Sequence, residues 1–210
     1  MNAALLVFAK APVAGQAKTR LAPALGLDGA ARLQGALIED ALTRARDARP
    51  PVLQLWGAGA DPDGALAAAA QRHGASLHAQ CDGDLGRRMA AALAHASAAG
   101  RPAIVIGSDA PGLSPARIRE ADHQLGYNDA VIVPAHDGGY VLLGLHRCDA
   151  SLFTGVEWGS ERVLAQTRER LRALGWRHAE LAPTWDVDRP EDLERLAALG
   201  EEWSKPLSGA

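Results

Sequence analysis

Apolar residues follow two alternating rhythms along this chain. Continuous runs at Leu5-Leu6-Val7-Phe8, Val52-Leu53-Gln54-Leu55-Trp56, Ala103-Ile104-Val105-Ile106-Gly107, Ala130-Val131-Ile132-Val133 and Tyr140 to Leu145 predict strands, the first of them buried on both faces. Ser76 to Ala79 and Ala179 to Leu181 read as shorter strands. Between them the spacing turns helical. Asp28 is placed to cap a helix through Ala30, Leu33, Leu37, Ile38 and Leu42. Asp61-Pro62 opens a helix to His73, and Leu85 opens one to Ala99, stopped by Gly100. Three more follow: Ser114-Pro115 to about Gly126, Gly159-Ser160 to Leu174, and Pro190 to Leu199. This β-α-β-α order predicts an α/β fold in three layers, a mostly parallel sheet with helices on both faces.

A chain of 210 residues with 48% hydrophobic content is long enough for one sizeable core. One domain is expected over 1–200, with a loose tail over 201–210. A net charge of −3, with the basic residues spread along the chain, argues against nucleic-acid binding. Cys81 and Cys148 stand far apart, too few for a disulfide framework or a four-cysteine zinc site. The first apolar run is too short for a signal-peptide core or a membrane span. A cytoplasmic protein with no membrane partner is the expectation.

Ligands of open α/β sheets bind beyond the carboxyl ends of the strands, so the loops there carry the candidate chemistry. Lys10-Ala11-Pro12-Val13-Ala14-Gly15-Gln16-Ala17-Lys18-Thr19-Arg20 follows the first strand. Gly15 permits a close turn, and Lys10, Lys18 and Arg20 bring positive charge suited to a polyphosphate; a solvated basic loop would look the same. The loop lacks the Walker A glycine before its lysine, and Gly57-Ala58-Gly59 lacks the third glycine of a dinucleotide fingerprint. Gly107-Ser108-Asp109-Ala110-Pro111-Gly112-Leu113 places Asp109 where a carboxylate suits Mg²⁺ or merely braces a turn. In Trp185-Asp186-Val187-Asp188-Arg189-Pro190-Glu191, Asp188 and Glu191 have the spacing of a capping box for the last helix. Asp137-Gly138-Gly139-Tyr140 reads as a hairpin turn whose glycines also permit a substrate to approach the backbone. The histidines, His136 included, show no metal-ligand spacing. Trp56, Trp158 and Trp176 suit core or pocket wall.

Phe8-Ala9-Lys10-Ala11-Pro12 with Lys18-Thr19-Arg20-Leu21, the Gly107–Leu113 segment, Pro134-Ala135-His136-Asp137-Gly138-Gly139-Tyr140, Trp158 and Trp185-Asp186-Val187-Asp188 occur in this order. Taken together they resemble the DUF2064 family of bacterial glycosyltransferase-A-like proteins, also named radical-SAM/selenodomain-associated transferase 1. The resemblance implies a nucleotide-diphospho-sugar transferase fold and kinship with nucleotidylyltransferases. It implies that Lys10, Gly15, Lys18, Arg20 and Ser108 contact the nucleotide. It implies a metal, Mg²⁺ or Mn²⁺, on Asp109 and a second acidic residue, Asp188 ahead of Asp186. The D-x-D signature of glycosyltransferases is reduced here to Asp109 alone.

The expected activity is transfer from a metal-bound nucleotide or nucleotide-sugar to a small-molecule acceptor. Lys18 and Arg20 would neutralise developing charge. Asp137, Gly138 and Gly139 would orient the acceptor, with Asp137 as base. Glycosyl transfer leads narrowly, nucleotidyl transfer with release of pyrophosphate is the alternative, and a non-catalytic nucleotide-binding protein is the third reading.

Overall fold

The computed structural model describes residues 1–200 and Trp203. In chain order the elements are β1 (Ala4–Lys10), α1 (Ala22–Asp47), β2 (Leu53–Ala58), α2 (Ala65–His73), β3 (Ser76–Ala79), α3 (Leu85–Ser97), β4 (Ala103–Gly107), α4 (Pro115–Leu125), β5 (Ala130–Pro134), β6 (Tyr140–Leu145), α5 (Val163–Ala173), β7 (His178–Glu180) and α6 (Asp192–Ala197). One-turn 3₁₀ helices lie at Thr19–Leu21 and Ala150–Phe153. The strands form a single seven-stranded sheet in the order β3-β2-β1-β4-β6-β5-β7. Only β6 runs antiparallel to its neighbours, because the Asp137 turn joins it to β5 as a hairpin. The α/β architecture with a mostly parallel sheet is as the sequence predicts.

The strand sequences explain the layers. Side chains alternate between the two faces of a strand, so a continuous apolar run feeds two cores at once. Leu5, Val7 and Ala9 of β1 pack into one core with α1, α2 and α4. Ala4, Leu6 and Phe8 of the same strand pack into the other with α3 and α5. A third cluster lies beside the loop edge, where Leu21, Leu33, Leu37, Trp185, Val187, Leu196 and Trp203 meet. Of the predicted tail, Trp203 is buried there, and the rest lies outside the described residues.

Several boundaries differ from expectation for local reasons. The span Ala22–Asp47 is divided by Gly26, whose φ 71° and ψ 168° are not helical, into a short first turn and a long helix that begins beside Asp28 as the spacing predicts. Asp28 lies inside the long second part. Pro62 stays outside α2, yet the Asp61 carboxylate accepts from the N–H groups of Ala65 and Leu66 at 2.9 and 3.0 Å and thereby starts that helix. The capping box at α6 is reversed. Asp192 reaches back to the N–H groups of Asp188 and Arg189, at 2.9 and 2.7 Å, which leaves the Asp188 carboxylate free for another partner.

The direction of chain travel across the sheet reverses between β1 and β4, which are hydrogen-bonded neighbours. A crevice opens at such a switch point beyond the strand ends. Among the described residues no helix is long and apolar enough to cross a membrane.

The sheet is closely packed at Gly144 of β6, where an added Cβ would lie 2.6 Å from Val131 Cγ1 and 3.1 Å from Ile104 Cγ1. Gly144→Ala is expected to cost ~1–3 kcal/mol in urea denaturation. Val131→Ala should recover part of that loss, so the double variant is more stable than the sum of the two single losses predicts.

Candidate active site

Four loops meet at the switch point and enclose a cleft of about 550 Å³. They are the β1–α1 loop, the β4–α4 loop, the β5–β6 turn and the extended segment 184–188 after β7. Glycines let them approach. A Cβ on Gly107 would fall 2.5 Å from Asp109 Oδ1, and one on Gly112 would fall 2.5 Å from Thr184 Oγ1. From behind, Arg44 of α1 donates to the carbonyls of Ala110 and Leu113, both at 2.7 Å, and pins the β4–α4 loop.

Segment 185–188 alternates like a strand. Trp185 and Val187 turn into the third apolar cluster, so Asp186 and Asp188 both face the cleft. Its backbone is joined to the metal-candidate loop, since Val187 N–H donates to Asp109 C=O at 2.8 Å. Lys18 completes the junction. Its ammonium donates to Asp109 Oδ2 at 3.2 Å and to the Val187 carbonyl at 2.6 Å. The Lys18 side chain is only 8% exposed, against 38% for Asp109, so this ion pair is shielded mainly on the lysine side. Lys18 also adopts a left-handed backbone, φ 46° and ψ 41°, a conformation that costs a non-glycine residue on the order of 1 kcal/mol. The two bonds made by its ammonium hold it there.

The remaining candidates divide into those in the cleft and those that support it. Arg20 reaches the cleft and pairs with Asp188. Lys10 lines it with an exposed side chain and, among the described residues, no ion-pair partner. Ser108 also lines it but is almost wholly buried, its Oγ 3.5 Å from Gln34 Nε2, which in turn donates to the Lys10 carbonyl at 3.1 Å. Gly15, at φ +75°, makes the turn that brings Gln16 and Lys18 inward. Asp137 and Gly139 line the cleft, and the Asp137 carboxylate accepts from Gly139 N–H at 2.9 Å. Gly138 faces away. Its carbonyl accepts from Leu164 N–H at 2.9 Å, and a Cβ there would meet the Glu161 backbone at 2.2 Å.

The acidic residues of the cleft stand in different surroundings. Asp188, ranked ahead of Asp186, is neutralised by Arg20. Asp186 is pushed up to about 6, first by burial and then by the charges of Asp109 and Asp137, with Lys18 opposing. Asp109, Asp137 and Asp186 therefore share one region of negative potential. Among the described residues no group of three His, Cys, Asp or Glu side chains is arranged to hold a metal ion. Asp109, Asp186 and Asp188 all line the cleft, and a divalent cation between Asp109 and Asp186 would relieve the repulsion that Asp186 feels. That fits a Mg²⁺- or Mn²⁺-type ion completing its shell with phosphate oxygens and water.

Sequence reasoning passed over Gln34, Gln80 and Arg88, all of which line the cleft. One signal for Arg88 was present: Gly86 in the first turn of a helix marks a close approach. A Cβ on Gly86 would lie 2.4 Å from Trp158 Nε1.

A raised carboxyl pKa makes the native state hold a proton that the unfolded state has already released. Stability therefore falls as pH rises from about 4 through 6, and the penalty is complete above 6. With chelator present, Asp186→Asn should be more stable than the parent at pH 7.5 by ~1–2 kcal/mol, allowing for partial exposure. The difference should vanish near pH 4 in denaturant titrations; a gap independent of pH would show that Asp186 is not strained by its charged neighbours.

The model of the DUF2064 family, described as an uncharacterized protein conserved in bacteria, matches residues 40–160. A crystal structure from Desulfovibrio desulfuricans G20, provisionally named a nucleotide-diphospho-sugar transferase, is 31% identical with a TM-score of 0.85, over 95% of this chain and 88% of that one. The Rv0371c structure with manganese from Mycobacterium tuberculosis H37Rv is 19% identical, with a TM-score of 0.57 over 94% and 99% of the two chains. The CMP:2-keto-3-deoxy-manno-octonic acid synthetase complexed with CTP is 17% identical, with a TM-score of 0.55 over 95% and 98%. No curated protein matches the chain. The last two structures speak for the fold alone; with the family match over more than half its length and the 31% relative over nearly all of it, the chain belongs to the DUF2064 family.

Proposed function

We propose that this protein transfers a group from a metal-bound nucleotide to a small-molecule acceptor. The observation that carries this reading is the junction of Lys18, Asp109 and Val187, which joins the basic β1–α1 loop to the carboxylate loop at the switch point. Cation and carboxylate held together in this way suit a ligand that brings both phosphate and a divalent ion. The same fold accommodates CTP in the synthetase structure and manganese in the Rv0371c structure.

Asp109 and Asp186 would hold Mg²⁺ or Mn²⁺. When bound, the ion supplies Lewis acidity and neutralises charge on the phosphate oxygens. Lys18, which bonds Asp109 here, would be free to offer its ammonium to the phosphates if that carboxylate held the ion. Lys10, already unpaired, adds a second point charge, and Arg20 can bond two oxygens at once. These fixed charges stabilise the leaving group without reorganisation during reaction. Asp137 and Gly139 also line the cleft and would face the acceptor, with Asp137 accepting a proton from an acceptor hydroxyl.

Nucleotidyl transfer, with attack at the α-phosphorus and departure of pyrophosphate, is the chemistry we favour. Asp109 has no second acid in a D-x-D, and the cations of the β1–α1 loop are placed to neutralise a departing pyrophosphate. Glycosyl transfer is the second reading, favoured by the 31% identical relative provisionally named a nucleotide-diphospho-sugar transferase.

Thermal denaturation with a panel of nucleoside triphosphates and nucleotide sugars, each with and without Mg²⁺ or Mn²⁺, tests binding. At least one nucleotide should raise the melting temperature in a metal-dependent way, and Asp109→Ala should abolish the rise while remaining folded. With the substrate pair in hand, pyrophosphate is the expected product and a nucleoside diphosphate would select glycosyl transfer. Lys18→Met should lower kcat on the order of 10²-fold or more. If no nucleotide stabilises the protein under any metal condition, the transferase reading fails.

A further inference from the structure

Two of the four cations lining the cleft have carboxylate partners: Lys18 with Asp109 and Arg20 with Asp188. Lys10 and Arg88 have none among the described residues. Arg88 stands apart because it comes from α3, beneath the sheet face opposite to α1, in the first turn of that helix. Met89, Tyr140 and Trp158 line the same cleft and belong to the apolar cluster under α3.

Arg88 Nε is buried and lacks any hydrogen-bond partner, and so is Trp158 Nε1. Both groups only donate. Both residues line the cleft. Gly86, two residues before Arg88, admits the indole: a Cβ there would lie within 2.4–2.6 Å of three indole atoms, Nε1 among them. The ring is held from its other sides by Phe153, at 6.4 Å between centroids, and by Tyr140 edge-on at 6.5 Å. The Trp158 N–H is thus fixed in a rigid aromatic wall, and Arg88 is carried on a helix rather than on a loop. Buried donors without acceptors are rare in folded proteins; with the Tyr140 hydroxyl, three of them line this cleft and call for a ligand that supplies oxygen atoms. The unpaired guanidinium, in the first turn of a helix whose dipole also favours anions, makes that ligand negatively charged.

We propose that Arg88, with Trp158 Nε1–H, binds an oxyanion group, carboxylate or phosphate, on the acceptor substrate. This rests on the group-transfer reading above and specifies the class of acceptor: a small acid or phosphate ester rather than a neutral sugar or alcohol. The donor's phosphates are assigned to the other wall, where Lys18 and Arg20 sit. Arg88 is a binding residue here and carries no bond-making role.

Trp158 Nε1–H provides a local probe. Its indole resonance, assigned with Trp158→Phe, can be followed by ¹H–¹⁵N NMR in the presence of Mg²⁺ and the nucleotide that gives the largest thermal shift. Inorganic phosphate, acetate and neutral glycerol are then titrated at constant ionic strength. One of the two anions should shift the Trp158 signal saturably, and which one does so distinguishes a phosphate ester from a carboxylic acid. Glycerol should leave it unmoved. Arg88→Gln should weaken the anion at least 10-fold while changing nucleotide affinity less than 2-fold; Arg88→Lys, which keeps charge without the fork, should fall between. The proposal is overturned if neither anion moves the Trp158 signal, or if Arg88→Gln weakens nucleotide and anion alike, which would assign Arg88 to the donor. Failure of every nucleotide to bind would sink the group-transfer reading separately, because the anion titration can still be read without nucleotide.

Discussion

The ammonium of Lys18 is the interaction on which the candidate site depends. It bonds at once to the Asp109 carboxylate and the Val187 carbonyl, while Val187 N–H bonds to Asp109 C=O. Three segments far apart in sequence are fixed to one another by those three bonds. The left-handed backbone of Lys18 is a local cost that they offset. Apolar packing supports the junction from behind, because Leu21, on the same loop, and Val187 enter one cluster with Trp185 and Leu196. An ion pair at the mouth of the sheet is thereby given a rigid base.

The balance of charge in the cleft follows from that arrangement. Arg20 pairs with Asp188 and Lys18 with Asp109, while burial, and then the charges of Asp109 and Asp137, raise the pKa of Asp186. Without ligand the site is strained toward protonation. In the proposed mechanism a cation shared by Asp109 and Asp186 would relieve this and free Lys18 for phosphate, so metal and nucleotide would favour each other's binding. Free energy held as charge repulsion in the resting site would be released only by a ligand carrying both.

The fold was legible because each strand is a continuous apolar run that must be buried on both sides. The loops were legible as a group because they all follow those strands. The partners within the site were not. Asp186 and Asp188 are equivalent in one dimension, and the reversed cap at Asp192, together with the reach of Arg20, gives them different partners. Arg88 was hidden for another reason. It lies in a regular helix, where an arginine ordinarily reads as a solvated face, and only the folded chain brings it to the cleft lined by Trp158, distant in sequence. The long part of α1 was legible from Asp28 onward, whereas the short turn before Gly26 carries no periodicity to read.

The central claim is that Asp109 lies where metal and nucleotide meet. Electron paramagnetic resonance of Mn²⁺, titrated into the protein with and without each nucleotide of the panel, tests it most directly. The account predicts that a nucleotide tightens Mn²⁺ binding and that Asp109→Asn loses this coupling while keeping its fold. Mn²⁺ binding that is indifferent to every nucleotide, or unchanged in Asp109→Asn, would contradict it.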